Sequence, residues 1–260
     1  MILIEERSGE FGDVKILRGR TDGSHAYATG GWYHSHADRN GISLASYVHA
    51  LYGLAEQTQA QRILVLGCAG GTLATMFARA GRHVTAVDID PGCFDLARKF
   101  FGLPLAVECH IGDGRAFLET YATSFDAIIV DAYHRHAVPS HLCSAEFFAL
   151  ARTRLSAGGV ILLNAVLAHD LDRLADRVAA GMAGAGLSTR ILDAAGTRDR
   201  NAIILGGAVV GLQPPTLLIR PDTLADTLAA ELAEMTFRTR RRADPIHDGA
   251  VDHGALDRKA

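Results

Sequence analysis

Short apolar runs recur through the middle of the chain, separated by stretches whose apolar positions fall three and four apart. Residues 63–66, 83–87, 106–110, 125–130 and 160–163 are such runs, while 72–80, 95–101 and 146–155 carry the helical spacing and Phe117 and Leu118 mark a further helix. Runs of this length bounded by Gly and Asp read as buried strands, and the segments between them as amphipathic helices. Regular alternation of the two predicts a mostly parallel sheet with helices on both faces. An Ala-rich helix over 170–183 and strands over 188–192 and 202–205 continue the pattern until Pro214 and Pro215 break it. One more helix is predicted over 221–235, and from 240 onward the polar sequence without period predicts a partly disordered tail.

The first part of the chain has a different texture. Residues 2–6, 14–17 and 26–29 are short strand-like runs separated by Gly and Asp turns, too few to form a domain alone. They predict a hairpin lobe packed on the larger domain or on a second subunit. A helix over 44–56 follows, with Leu44, Val48, Leu51 and Leu54 on one side and Ser43 as its N-cap. Between lobe and helix lie Trp32, Tyr33, His34 and His36, which read either as a loop lining a pocket or as a surface loop with a packed Trp. The chain thus divides into a β lobe and pocket loop (1–43), an α/β domain with a doubly wound, Rossmann-like sheet (44–236) and a polar tail (237–260).

The stretch 63–91, ILVLGCAGGTLATMFARAGRHVTAVDIDP, organises the larger domain. Strand, glycine turn, helix, strand and a strand-end acid make a nucleotide-type βαβ unit. Glycine lets the backbone approach a ligand where a Cβ would clash, and Asp88 lies where a carboxylate can accept from both ribose hydroxyls. A dinucleotide needs G-x-G-x-x-G to place its pyrophosphate at the helix N-terminus. The turn here, Gly67-Cys68-Ala69-Gly70-Gly71, lacks that spacing, whereas S-adenosylmethionine (SAM), which has no phosphate, tolerates it. The ligand-free alternative is a turn that only packs a helix. Ligands of such sheets bind at the carboxyl ends of the strands, which places the turn, Asp88, Asp113 and Asp131 along one crevice.

Composition narrows the classes. The 260 residues carry a net charge of −3 and 48% hydrophobic residues, which fits a globular protein and gives no electrostatic footprint for nucleic acid. The basic run 238–242 reads as a solvated helix end. No apolar run is long enough for a membrane span, no signal peptide is apparent, and Cys68, Cys93, Cys109 and Cys143 lack C-x-x-C spacing; together these predict a cytoplasmic protein with reduced thiols.

From residue 2 to 164 these features together resemble the spermidine synthase family, the aminopropyltransferases. The resemblance rests on the β lobe, the helix around Tyr47, the glycine turn, the strand-end acid, Asp113-Gly114, Asp131 and the segment 138–164. It implies a class I methyltransferase-like fold that binds decarboxylated SAM and passes its aminopropyl group to an amine, commonly in a homodimer. By motif, Gly67, Cys68, Ala69, Gly70 and Gly71 would cradle the methionine-derived part of the donor. Asp88 with Ile89 would hold the ribose, and Asp113 with Gly114 the adenine. Asp131 matches the acid that deprotonates the attacking amine, and Tyr47 a pocket tyrosine.

The departures shape the expected reaction. The family turn reads G-G-G-D-G, its Asp gripping the donor's amine, and Gly70 stands in that place. His134 stands where a second acid holds a polyamine, and Val48 and His49 stand near a family Glu. A multiply charged cation needs acids to replace its lost hydration. The expectation is therefore a SAM-dependent methyl transfer to a small, non-polyamine acceptor, with Gly70 leaving room for a methionine carboxylate. Asp131, Tyr133 and His134 would carry the catalysis, since a base must take the acceptor's proton, and His34, His36, Tyr47 and His136 would line the acceptor pocket. Aminopropyl transfer from decarboxylated SAM is the alternative, and a non-catalytic SAM-fold binding protein a second. No residue is assigned to a metal. A rival arrangement would bring His34-x-His36 and His134-x-His136 face to face as four nitrogen ligands.

Overall fold

The computed structural model describes residues 1–134 and 137–249. Four strands come first, β1 (Ile2–Arg7), β2 (Val14–Arg18), β3 (His25–Thr29) and β4 (Trp32–Ala37), paired in order as an antiparallel meander. The larger unit opens with α1 (Ser46–Gln57), β5 (Arg62–Leu66), α2 (Thr72–Arg79), β6 (His83–Asp88), α3 (Cys93–Phe101), β7 (Glu108–Ile111), α4 (Gly114–Thr120) and β8 (Phe125–Val130). A 3-10 turn at Ser140–Leu142 leads to α5 (Ala145–Thr153), β9 (Leu155–Leu167), α6 (Leu174–Gly184), β10 (Thr189–Asp193), β11 (Arg200–Gly207), α7 (Ala225–Ala233) and β12 (Thr236–Arg238).

Eight strands form the main sheet in the order β12-β10-β11-β9-β8-β5-β6-β7, with β9 to β7 parallel and the β11, β10 and β12 edge antiparallel. Successive side chains of one strand serve opposite cores. Ile63 and Val65 pack with α1 and α2, whereas Leu64 and Leu66 pack with α4, α5 and α6. Both faces are covered, which is why these strands read as unbroken apolar runs. The chain leaves β5 for β6 and β7 on one side and returns to β8 on the other. A crevice therefore opens at the carboxyl ends of β5 and β8.

The small sheet lays Val14, Ile16, Tyr27 and Ala37 against Leu96 and Phe101 of α3. Its fourth strand is the segment read from sequence as a loop. The pairing steps from Tyr27 with Ser35 to Ala28 with Tyr33, leaving His34 as an extra residue. That bulge breaks the alternation a strand is recognised by.

Two other local expectations are corrected. Ser43 does not cap α1, which begins after Ala45. Its hydroxyl instead accepts from the Ala45 N–H at 3.1 Å, and its carbonyl accepts from the His49 ring at 2.8 Å, so a local turn delays the helix. Nor is the basic run a solvated helix end. Arg238 lies in β12, where it bonds Asp176 at 2.9 Å and Asp193 at 3.2 Å, and Arg241 bonds Asp176 at 2.7 Å. Asp176 is wholly buried. Burial alone would raise its carboxyl, but the bonds from Arg241 and Arg238 outweigh this and hold it below the usual range. A carboxyl lowered in the folded state stabilises above its unfolded pKa, and the contribution is lost as pH falls through the folded value. Asp176→Ala is expected to cost about 2 kcal/mol in urea unfolding at pH 7, because Arg241 loses its carboxylate while Arg238 keeps Asp193, and both keep access to water. The difference from the parent should shrink below about pH 4.

Within the predicted polar tail, bonds to the larger unit reach as far as Asp248. Ala145 N–H donates to Ile246 O at 2.8 Å, and Arg115 pairs with Asp248 at 2.7 Å. Residues 250–260 lie outside the described residues. No helix among the described residues is long and apolar enough to cross a membrane.

Candidate active site

The glycine turn is held from three sides. Gly67 has φ +89°, and a Cβ there would lie 2.5 Å from the carbonyl oxygen of Asp131. Only glycine lets the end of β5 touch the end of β8 in this way. From β6, Asp88 Oδ2 accepts the N–H groups of Cys68 at 2.7 Å and Ala69 at 3.1 Å, while Oδ1 accepts that of Asp90 at 2.9 Å. From β4, Ser35 Oγ accepts the Gly70 N–H at 3.0 Å. A Cβ at Gly70 would lie 2.8 Å from Ser35 Cβ and 3.0 Å from the Phe101 ring. The missing side chain at Gly70 thus leaves no room for a donor carboxylate on that side, because the small sheet and α3 already fill it. Ile89 is exposed beside Asp88.

Asp113 follows β7 and caps α4, Oδ1 accepting the N–H groups of Arg115 at 3.0 Å and Ala116 at 2.9 Å. Its Oδ2 takes the N–H of His141 at 2.7 Å. Burial works to raise this carboxyl, but the bonds from Ala116 and His141 prevail and keep it low. Gly114 is buried against Leu66, which lets α4 start close to β5.

Asp131 stands at the end of β8. Asn164 of β9 donates Nδ2–H to Asp131 Oδ1 at 2.8 Å, and the Tyr47 hydroxyl of α1 donates to the same carboxyl. Removal from water dominates, against the pull of Asn164 and Tyr47, and pushes Asp131 up to about 7. Burial and the Asp131 charge drive the Tyr47 hydroxyl well above its usual range, so it stays a donor. Tyr133 leans on the same strand, its hydroxyl donating to Asn164 O at 3.1 Å. An acid poised near neutrality between proton donors is equipped to take a proton from a nucleophile.

The structure thus gathers Gly67 to Gly71, Asp88, Asp113 and Asp131 along the strand ends, with Tyr47 and Tyr133 around Asp131. His134 is exposed and pairs through its backbone with Ala137. His34 and His36 flank Ser35 in β4. His34 Nε2 is 2.6 Å from Thr29 Oγ1, and burial lowers the His36 ring, whose Nε2 has no hydrogen-bond partner. Ser35, not either histidine, meets the glycine turn. His136 lies outside the described residues. Among the described residues no group of three or more His, Cys, Asp or Glu side chains is placed to hold a metal ion.

Sequence reasoning missed Ser35, Tyr27, His141 and Asn164. Tyr27 donates to Asp90 Oδ2 at 3.0 Å and so ties the small sheet to the loop after Asp88. Only Asn164 left a signal, as the single polar side chain in the apolar run of β9. A buried amide there requires a partner.

Residues 46–171 match the family model of the spermine/spermidine synthase domain. A probable polyamine aminopropyl transferase of Bifidobacterium longum is 33% identical over 132 residues, half of this chain and 30% of that protein. This chain spans less than half the length of that and comparable curated polyamine aminopropyltransferases. Among solved structures, a probable spermidine synthase from Corynebacterium glutamicum superposes with a TM-score of 0.79 at 21% identity, over 97% of this chain and 99% of that one. A spermidine synthase in complex with the transition state analogue AdoDATO gives 0.64 at 15% identity, over 88% and 85%. The fold is therefore the Rossmann-like, methyltransferase-type fold of spermidine synthases. The expectation of methyl transfer to a non-polyamine acceptor is overturned, since the matching family model is that of the spermine/spermidine synthase domain and the relatives named above are polyamine aminopropyltransferases. Nor is the space expected at Gly70 there to hold a carboxylate, because Ser35 and Phe101 occupy it.

Proposed function

We propose that this chain, a member of the spermine/spermidine synthase family through its residues 46–171, transfers an aminopropyl group from decarboxylated SAM to an amine of the polyamine class. What carries the reading is that the matched span holds the whole arc of Tyr47, the glycine turn, Asp88, Asp113, Asp131 and Asn164. The residues suit such a donor. Asp88 Oδ1 accepts a single backbone N–H and keeps capacity for a ribose hydroxyl, and Asp113 Oδ2 has a second lone pair for an exocyclic amino group. The donor supplies a carbon activated by sulfonium: a C–N bond forms, the C–S bond breaks, and its electron pair stays on sulfur as a neutral thioether.

The protein's part is alignment and proton removal. Asp131 in its ionised form accepts the proton of the incoming ammonium. Tyr47 and Asn164 hold its carboxylate in place, and burial keeps it basic enough to work near neutral pH. Tyr133 braces β9 behind Asn164. The same reading takes the chain as a cytoplasmic homodimer, the latter tested by light scattering.

The test is calorimetric titration with decarboxylated SAM and with SAM, run beside mass spectrometry of reactions containing a diamine or triamine. Tighter binding of the decarboxylated donor, with release of the nucleoside thioether and an aminopropylated amine, is expected. No binding of either donor and no product would overturn the reading.

A further inference from the structure

Asp131 has a partner, and that partner has one of its own. Asn164 is buried in β9, and its amide spans two groups: Nδ2 donates to Asp131 Oδ1 at 2.8 Å, and Oδ1 accepts from Asn201 Nδ2 at 2.8 Å. Asn201 lies on the neighbouring antiparallel strand β11, opposite Val166, while Ile203 stands opposite Asn164. The two asparagines are therefore diagonal cross-strand neighbours, within reach of one another across the sheet.

A side-chain amide has a donor end and an acceptor end, and it can turn over. With its donor end toward Asp131, Asn164 favours the ionised carboxylate. Turned over, it would offer an oxygen instead and would favour the protonated acid, which alone can donate to it. Asn201 presents its N–H to Asn164 Oδ1, and this pairing favours the orientation in which Asn164 Nδ2 faces Asp131. We propose that Asn201 is a positioning residue that fixes the orientation of the Asn164 amide and thereby keeps Asp131 in its proton-accepting form. It touches no reacting atom; it acts through Asn164.

The titratable groups facing Asp131 are few. Tyr47 faces it from α1 and Tyr133 lies on its own loop, while β9 contributes the uncharged Asn164. The glycine turn meets it through backbone at Gly67. Among the described residues no charged side chain contributes to its shift. The Asn164 amide is therefore, with the Tyr47 hydroxyl, what holds the proton affinity of this acid down against the burial that raises it.

The proposal rests on Asp131 being the base of the reading above, yet it can be tested apart from it. The carboxyl carbon of Asp131 is followed by NMR against pH in protein labelled with 13C-aspartate, its signal assigned by its loss in Asp131→Asn. Asn201→Asp is close in shape, but its carboxylate only accepts, so it turns the Asn164 amide over. The midpoint of Asp131 is expected to rise by about one pH unit. Asn201→Leu, which removes the donor without adding charge, should give a rise in the same direction. Asn201→Gln, which keeps an amide, should bring the midpoint back toward that of the parent. In aminopropyl transfer the acid limb of kcat/KM should move up by the same amount, with donor affinity unchanged. A midpoint that stays put in both Asn201→Asp and Asn201→Leu, in protein whose amide spectrum is otherwise native, overturns the proposal. A shifted midpoint in a chain that makes no aminopropylated product leaves the relay standing and removes the reaction assigned to it.

Discussion

Asp131→Asn is expected to lower kcat for amine alkylation by about a thousandfold while changing donor affinity little, the usual size for loss of a general base. The amide keeps the shape and still accepts from Asn164, but it cannot take a proton from an ammonium ion. In the unmodified enzyme kcat/KM should rise through a midpoint near 7, the value to which burial pushes Asp131. The variant should lose that limb together with its rate. Steady-state kinetics across pH 5 to about 9 and calorimetry with the donor separate the two effects. A variant that kept its rate would remove Asp131 from the mechanism.

The same substitution should stabilise the fold. The carboxyl sits at about 7 in the folded chain, whereas an unfolded aspartate titrates near 4. Between those values the folded state binds more protons than the unfolded state, so stability falls as pH rises through the window. The amide introduced by Asp131→Asn carries no such charge. At pH 8 the variant should be more stable by on the order of 2 kcal/mol, and the gain should vanish near pH 4. Strain of this kind, held at a site because its chemistry needs it, is a common exchange of stability for activity. Urea unfolding at the two pH values checks the sign, and a variant less stable at pH 8 would mean that the buried charge is fully compensated.

What the sequence revealed about this site follows from how far apart the interacting residues lie along the chain. The turn 67–71, its flanking strands and Asp88 fall within one βαβ unit, and periodicity exposes all of them. Asp113 and Asp131 were legible as acids at strand ends, since a parallel sheet collects those ends at one edge. Ser35 was not legible, because the bulge at His34 disguised β4 as a loop and its contact with Gly70 joins two separate sheets. That omission misdirected part of the chemistry: Gly70 reads as open space, and with His134 and the Val48 and His49 positions in place of acids it leads to methyl transfer. Asn164 and Asn201 were hidden for a different reason. Asn164 is one polar letter within an apolar run and Asn201 stands beside Arg200 at the start of another strand, and only the register of β9 with β11 makes them neighbours. Arg238 and Arg241 read as solvated charge because their partner, Asp176, looks in sequence like an ordinary acid on the first turn of a helix.

Asp88→Ala is expected to weaken donor binding about a hundredfold, close to 2.7 kcal/mol. Two losses add. The ribose loses an acceptor, and the N–H groups of Cys68 and Ala69 lose the oxygen that shapes the turn. The second loss is the larger, because Ala69 sits at φ +46°, a backbone region that costs a residue with a Cβ about 1 kcal/mol or more. With Asp88 gone, nothing on β6 repays that conformation, and the turn should relax away from the donor. Asp88→Asn separates the two losses. Its amide oxygen can keep both turn N–H groups, and its NH2 can donate to a ribose hydroxyl, which both donates and accepts, at the loss of the Asp90 N–H bond that Oδ1 accepts in the parent. Donor binding in Asp88→Asn should therefore weaken by about tenfold or less, with a smaller loss of Tm than in Asp88→Ala, which should lose both affinity and Tm. Equal losses in the two variants would mean that the ribose needs the negative charge itself. Unchanged affinity in Asp88→Ala would mean that the ribose lies elsewhere, and that Asp88 serves the turn alone.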